Sequence, residues 1–320
     1  MMRMAIAACA LLAAFVAAEA QSDYPTRPVR IIVPSAPAGG TDVTARQIAR
    51  ELTKTMGQSF HIENRPGAGQ MIGISAAAQA DHDGYTLLMA ASTLAINPAM
   101  YKKVTYDVFR DFIPITEVVA LPNILVVNAS LPARSVREFI DLARQKPGEL
   151  SYASAGIGTS PHMSMELFKS MAGVNIMHVP FRGTTPGVTD LLAGRINAMM
   201  VNVMTAMPHI QSGQLRALGV TGLTRLSSMA GVPTIAEAGV PGYEAMNWYG
   251  LLAPTGTPDS IVQKPREEVV NALALPQLRA HLAADGAEPV GSSPAEFSER
   301  IRGDMAKWAE TARKAGIVPQ

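Results

Sequence analysis

The sequence predicts an α/β protein of two lobes, each a mostly parallel, doubly wound sheet, with a ligand cleft between them. Three observations lead there. Short, β-branched apolar runs alternate with segments of helical period. The runs end in glycine-rich turns that lead into helix starts. The same arrangement recurs in the second half of the chain, with no visible sequence identity between the halves.

The bulk properties narrow the function classes. The chain has 320 residues, of which 48% are hydrophobic, enough for two cores. A net charge of +1 gives no basic field for nucleic acid, and 5% aromatic residues give little to stack bases or sugars on. Residues 1–20 read as a secretion signal: Arg3, the apolar stretch Met4 to Val16, and the A-x-A site Ala18-Glu19-Ala20. The apolar part is too short to span a membrane. Cys9, the single cysteine, falls within it. Ile6-Ala7-Ala8-Cys9 superficially fits a lipidation motif, but the apolar stretch before it is too short to work. The mature chain, from about Gln21, then lacks cysteine and depends on packing in an oxidising compartment.

In order, Val29 to Val33 is a buried strand. Val43, Ala45, Ile48, Ala49, Leu52 and Met56 then recur at helical spacing, and Gly57 stops the helix. Between them lies Pro34-Ser35-Ala36-Pro37-Ala38-Gly39-Gly40-Thr41-Asp42, a turn ending in two good N-caps. A second strand, Ser59 to Glu63, runs into Asn64-Arg65-Pro66-Gly67-Ala68-Gly69. A helix of small residues spans about Met71 to Ala80, and a third strand, Tyr85 to Ala90, ends at Ala91-Ser92-Thr93. This is βαβαβ, and right-handed crossovers bring the strand ends to one edge, where ligands bind. The second half repeats it. The strand Leu150 to Ala153 leads to Ser154-Ala155-Gly156-Ile157-Gly158-Thr159-Ser160, with Ser160 as cap and Pro161 at the first helical position. Val174 to Val179 leads to Phe181-Arg182-Gly183, and Ile196 to Val201 leads to Asn202. Gly219 to Pro241 is rich in turn residues. A helix from Asp259 or Ser260 meets Pro265, which implies a kink or a later start. Ser293 caps the last helix, whose stripe Phe297, Ile301, Met305, Trp308, Ala312 reads as core docking.

A strand, a glycine turn and a helix start together make an anion site, because glycine admits close approach and the first helical N–H groups are unpaired. No Lys or Arg lies in Pro34 to Val43, so backbone dipoles would hold the anion, which suits a small carboxylate. The alternative is a plain tight turn. The second loop, Gly158, Thr159 and Ser160, gives the pattern its weight: two helix starts across one cleft can grip one carboxylate. Asp42 would repel an anion, so it reads as a cap for the loop N–H groups or for a water. Asn64, Ser92, Thr93 and Asn202 follow strand ends and offer neutral hydrogen bonds. Arg65 and Arg182 also follow strand ends, as cleft cations or as solvated loop residues.

Enzyme signals are weaker. Tyr152-Ala153-Ser154-Ala155-Gly156 nearly fits a nucleophile elbow, but Tyr152 stands where a small residue is needed, so Ser154 reads better as a ligand hydrogen-bond donor than as a nucleophile. Gly156-x-Gly158-x-x-Pro161 lacks a third glycine, and Gly67-x-Gly69-x-x-x-Gly73 is one residue too long for a dinucleotide fingerprint. The six histidines show no metal-ligand spacing, so no metal and no cofactor are expected. His162 reads as a surface histidine or a cleft polar group.

Several motifs together resemble the Bug family of periplasmic substrate-binding proteins associated with tripartite tricarboxylate transporters. They are Pro34 to Arg46, Glu63 to Gly69, Asp83-Gly84-Tyr85-Thr86-Leu87-Leu88, Tyr152-Ala153-Ser154, His178-Val179-Pro180-Phe181-Arg182-Gly183, Pro208-His209-Ile210 and Ala253-Pro254-x-Gly256-Thr257-Pro258. The resemblance runs from about Tyr24 to Ile317. It implies a type II periplasmic-binding-protein fold with two crossing strands. Lobe 1 would be 21–123 plus 247–320, and lobe 2 would be 124–246. It also implies that Gly39, Gly40, Thr41 and Asp42 clasp a carboxylate against Gly158, Thr159 and Ser160. Two positions depart from the family's habit: Ser35 replaces a bulky residue, and Val201 replaces an acid before Asn202. The expectation is therefore a carboxylate without an amine, a di- or tricarboxylate or an aromatic acid. It would be captured by a monomeric, non-catalytic protein and passed to membrane subunits of a transporter. The alternatives are a sensor feeding a signalling receptor and a secreted hydrolase using Ser154.

Overall fold

A computed structural model describes residues 24–284 and 286–319; the expected signal segment lies outside them. The elements are β1 (Val29–Val33), α1 (Gly40–Met56), β2 (Phe60–Asn64), α2 (Met71–Ala78), β3 (Thr86–Ala91), α3 (Thr93–Met100), α4 (Val108–Asp111) and β4 (Phe112–Asn128). Next come α5 (Val136–Gln145), β5 (Ser151–Ser154), α6 (Ser160–Ala172), β6 (Met177–Pro180), α7 (Thr184–Leu192), β7 (Ala198–Asn202), α8 (Val203–Gln211) and β8 (Leu215–Val220). The chain closes with β9 (Met246–Pro254), α9 (Asp259–Ala274), α10 (Pro276–Ala284), β10 (Glu288–Pro289) and α11 (Pro294–Lys314). Among the described residues no helix is long and apolar enough to cross a membrane.

Strand order is β2-β1-β3-β9-β4-β7-β5-β6, with β8 and β10 also paired to β4. The sequence-predicted βαβ units form the two parallel sets, β2-β1-β3 and β6-β5-β7. Antiparallel β9 and β4 join them. β4 is a 17-residue strand in a stretch where the sequence signals no element. Pro114 and Pro122 lie within it, and proline argues against a central strand because it cannot donate to a ladder. The structure resolves the conflict by position. The register shifts just after Pro114. At Pro122 the strand leaves β9, and at Asn123 it begins pairing with β7. The chain thus passes from one half-sheet to the other where a missing N–H costs least.

Other expectations shift. α9 runs through Pro265, its buried seventh residue, which forfeits one helical bond. Gly219 and Val220, expected in turns, end strand β8. Thr159, not Ser160, is the N-cap of α6, and Gly39 is the N-cap of α1, which places Asp42 inside the first turn. Neither helix has a side-chain cap bond. By contrast α11 begins with the capping box Ser293 and Glu296.

Among the described residues four apolar cores form, one on each face of each half-sheet. The α11 stripe divides between halves: Phe297 and Ile301 pack with the first, Trp308 and Ala312 with the second. One helix therefore buttresses both sides of the β4–β9 crossing.

Candidate functional site

Helices α1, α3, α6 and α8 begin at the carboxyl ends of β1, β3, β5 and β7. Each start contributes unpaired N–H groups and a partial positive charge at that edge. The first loop is shaped by strain. Ala38 (φ 63°), Ala68 (φ 47°) and Gln70 (φ 73°) are the non-glycine residues with left-handed backbone among those described, and all lie in the turns after β1 and β2. Such conformations persist only where the surroundings impose them, and they concentrate at ligand sites.

Asp42 imposes the first. Its Oδ2 accepts the Ala38 N–H at 2.9 Å and Arg46 Nε at 3.0 Å, and its Oδ1 accepts Asn64 Nδ2 at 2.8 Å. Asn64 also donates to the Ser35 carbonyl at 3.1 Å and accepts from Arg46. Burial alone would raise the Asp42 carboxyl, but the bonds from Arg46, Ala38 and Asn64 outweigh it and hold the group below its ordinary value. Asp42 is 2% exposed and its charge is matched by Arg46. Asp42 and Asn64 therefore brace the loop from behind.

Gly40 faces the other way. A side-chain carbon there would run into the Tyr249 hydroxyl and lie 3.4 Å from Asn202 Nδ2. Asn202 ends β7, and its ladder partner is Asn123 of β4. Asn123 Nδ2 donates to Ser160 Oγ at 2.9 Å, at the start of α6. Gly40 in the first half and Ser160 in the second thus converge on one pair of asparagines at the β4 changeover. A second tie runs beside it. Asn97 of α3 donates to the Gly69 carbonyl at 2.9 Å, and its Oδ1 would lie 3.6 Å from a carbon added at Gly158. Among the described residues, Ser35 Oγ, Gln70 Oε1, Asn97 Oδ1 and Asn123 Oδ1 are among the buried side-chain atoms without a hydrogen-bond partner. Buried polar atoms are nearly always paired, so Asn97 Oδ1 and Asn123 Oδ1, beside the second glycine loop and the α6 start, mark where a polar guest or water belongs.

The remaining residues divide. Thr41, Thr93 and Gly158 are buried at the notch, and Thr159 donates to the Gly156 carbonyl at 2.7 Å. Ser92 is fully buried and spends its hydroxyl on Asn247 at 2.6 Å. Ser154, also fully buried, lies 2.7 Å from His178 Nε2. Arg65 is ion-paired with Glu63, beside Arg30. Arg182 is exposed, on a loop held to the second glycine loop by Phe181 N–H to Ser154 O and Gly183 N–H to Ala155 O. His162 is not on the surface: it is 4% exposed, and its ring stacks on His178. Asn97, Asn123 and Tyr249 were not anticipated. Asn123 falls in the unread β4 segment, and no local pattern distinguishes an asparagine at a changeover from any other. Among the described residues no group of His, Cys, Asp or Glu is arranged to hold a metal.

With this geometry in hand, known proteins offer a comparison. A family model described as the tripartite tricarboxylate transporter family receptor matches residues 44–317. Protein BugT of Bordetella pertussis is 36% identical over 304 residues, 94% of this chain and 93% of BugT. A solved R. palustris structure with adipate matches with TM-score 0.87 at 39% identity, covering 93% of this chain and 100% of that one. MatC from Rhodopseudomonas palustris with bound malate matches with TM-score 0.81 at 31% identity, covering 90% and 99%.

Proposed function

The chain belongs to the tripartite tricarboxylate transporter receptor family, that of the Bug proteins, and we propose that this member captures a small dicarboxylate in the notch between the α1 and α6 helix starts. Receptors of this family are periplasmic solute-binding proteins for carboxylates, not enzymes, so the hydrolase reading of Ser154 falls. Chemistry agrees. Burial first, then the neighbouring His162, holds the His178 imidazole down to about 3, far too weak for a general base near neutral pH.

The observation that carries the ligand class is the convergence of two amide-lined loops on Asn123 and Asn202. In this reading one carboxylate sits against Gly39, Gly40 and Thr41 and against Thr159 and Ser160. Helix dipoles contribute up to ~2 kcal/mol each when partly buried, and bonds to a charged group ~1.5–3 kcal/mol each. A few of these reach micromolar affinity without an ion pair. The far carboxylate would meet Ser35, Asn202 or the exposed Arg182 at the rim. Relatives solved with adipate and malate support two carboxylates rather than one. Val201 offers no charge for an amine, which disfavours amino acids. We further propose export by the segment 1–20, lobes divided at 123/124 and 246/247, and a monomer that delivers its cargo to the membrane subunits.

The test is thermal unfolding of the mature chain with adipate, malate, citrate, benzoate and glutamate. A bound acid at 100 times Kd adds about 2.7 kcal/mol of stability. Adipate or malate should raise the midpoint most. Glutamate outperforming every acid without an amine would refute the assignment.

A further inference from the structure

Behind the second glycine loop lies a column of rings that the ligand reading leaves unused. Tyr152 of β5 and His178 of β6 are ladder partners, so their side chains leave the same face of the sheet. Their rings stack at 4.7 Å between centroids. His162, near the start of α6, stacks on His178 in turn at 4.1 Å. The column is bonded to the loop. Gly158 N–H donates to His162 Nδ1 at 3.3 Å. Ser154 Oγ, 2.7 Å from His178 Nε2, receives the Gly156 N–H at 3.2 Å. Gly156 (φ 130°) and Gly158 (φ 75°) adopt backbone that other residues avoid, so this loop has little stiffness of its own. Thr159 Oγ1 to the Gly156 carbonyl at 2.7 Å orders part of it from within, and the two histidines hold it from outside.

We propose that His162 and His178 are positioning residues of the carboxylate site: neutral imidazoles that fix Gly158 N–H and Ser154 Oγ, and thereby aim the Ser160 amide, at the start of α6, at the ligand. The assignment rests on the reading that this loop meets the carboxylate. A histidine that accepts at Nδ1 carries its proton on Nε2 and is uncharged. Two stacked imidazoles also cannot both be charged without repulsion. The groups facing the column from each packed element are Tyr152 on β5, Glu166 and Lys169 on α6, and uncharged Ile157, Met100, Ala315 and Ile317 around a cavity of about 270 Å³. Glu166 does not favour an imidazolium strongly, because its Oε1 already accepts the Tyr152 hydroxyl at 2.5 Å and Lys169 Nζ at 2.6 Å. Burial first, then Lys169, lowers His162 to about 4.

The test uses the mature chain and four variants, His162→Ala, His162→Asn, His178→Ala and His178→Gln. Asparagine Oδ1 can replace Nδ1 as acceptor, and the glutamine amide can replace Nε2. Affinity is measured by calorimetry at pH 7.5 for the tightest of the five acids, with circular dichroism as a fold check. Each alanine variant should lose at least about tenfold in affinity, and each amide variant should stay within about threefold of wild type. A long-range 1H–15N spectrum of wild type at pH 5.5, where an ordinary histidine is largely charged, should show His162 neutral with its proton on Nε2. Alanine variants that bind like wild type, amide variants as weak as alanine, or a charged His162 at pH 5.5 would overturn the assignment. If alanine prevents folding, the amide variants and the spectrum decide. Wild type that binds none of the acids overturns the carboxylate reading and this assignment together. Wild type that binds and is weakened by Gly40→Ala but not by His162→Ala overturns this assignment alone.

Discussion

Gly40→Ala tests the convergence of the two halves most directly. The backbone at Gly40 is helical rather than left-handed, so alanine brings no conformational strain, and helix preference alone would favour it by about 0.5–1 kcal/mol. Packing opposes that. The added carbon runs into the Tyr249 hydroxyl, lies 3.3 Å from Tyr249 Cζ and 3.4 Å from Asn202 Nδ2. Tyr249 is 4% exposed, so moving its hydroxyl aside requires its neighbours to give. Overpacking of this kind costs about 1–3 kcal/mol, leaving a net loss of up to about 2.5 kcal/mol. Gly303→Ala is the control: it lies in α11, where an added carbon meets nothing within 4 Å. That change should stabilise by about 0.5–1 kcal/mol. Thermal unfolding reads both, and the two midpoints should move in opposite directions. Displacing the α1 amides also forfeits at least one bond to a charged ligand, about 1.5–3 kcal/mol, or roughly 10–100-fold in Kd by calorimetry. A Gly40→Ala protein that gains stability like Gly303→Ala and binds like wild type would refute the packing argument and the site built on it.

Two further outcomes concern charge. Asp42→Asn leaves one acceptor oxygen where two are used, so the side chain cannot hold both the Ala38 N–H and Asn64 Nδ2, and Arg46 loses its counter-charge; binding should weaken at pH 7. Because the folded-state carboxyl lies below its ordinary value, its stability contribution is present above the ordinary carboxylate range and is lost as pH falls through the lowered value. Wild type and Asp42→Asn should therefore converge in chemical-denaturant midpoint under acid conditions, and a constant difference across pH would refute this. Glu117, on β4 beside Arg300 and Asp304, behaves oppositely. Burial raises it from 4.5 to about 7 despite the attraction of Arg300. The folded protein keeps a proton that the unfolded chain has lost, so stability falls as pH rises across that window, by at most about 3 kcal/mol. Glu117→Gln should gain on wild type between pH 5 and pH 8 in thermal scans; an advantage that shrinks with pH would overturn the sign.

Much of the fold was legible because its signals are local. β1, α1 and Gly57 lie where the apolar periods and the glycine stop place them. The second-half strands are displaced by one to three residues at their starts. The stretch 94–149 carries conflicting local signals, since β4 mixes apolar runs with two prolines that local rules count against a strand. The candidate site divides in the same way. Glycine loops announce themselves by composition. Asn97, Asn123 and Tyr249 do not, because they matter through contacts made by residues distant in sequence. His162 and His178 are 16 positions apart in a sequence that gives no hint that their rings touch.

The residue order alone settled the alternation of strands and helices, the glycine turns that leave helix amides bare, and the lack of Lys and Arg in the first loop, for these are read from composition, backbone geometry and periodicity over a few residues. Tertiary structure decided which polar groups remain available. Burial and pairing turn Asp42, Asn64, Ser92 and Ser154 inward as braces, and a single strand crossing at Pro122 and Asn123 brings the two loops onto shared asparagines. Hydrogen bonds are saturable, so what a polar side chain can offer a ligand depends on which partners the fold has already given it.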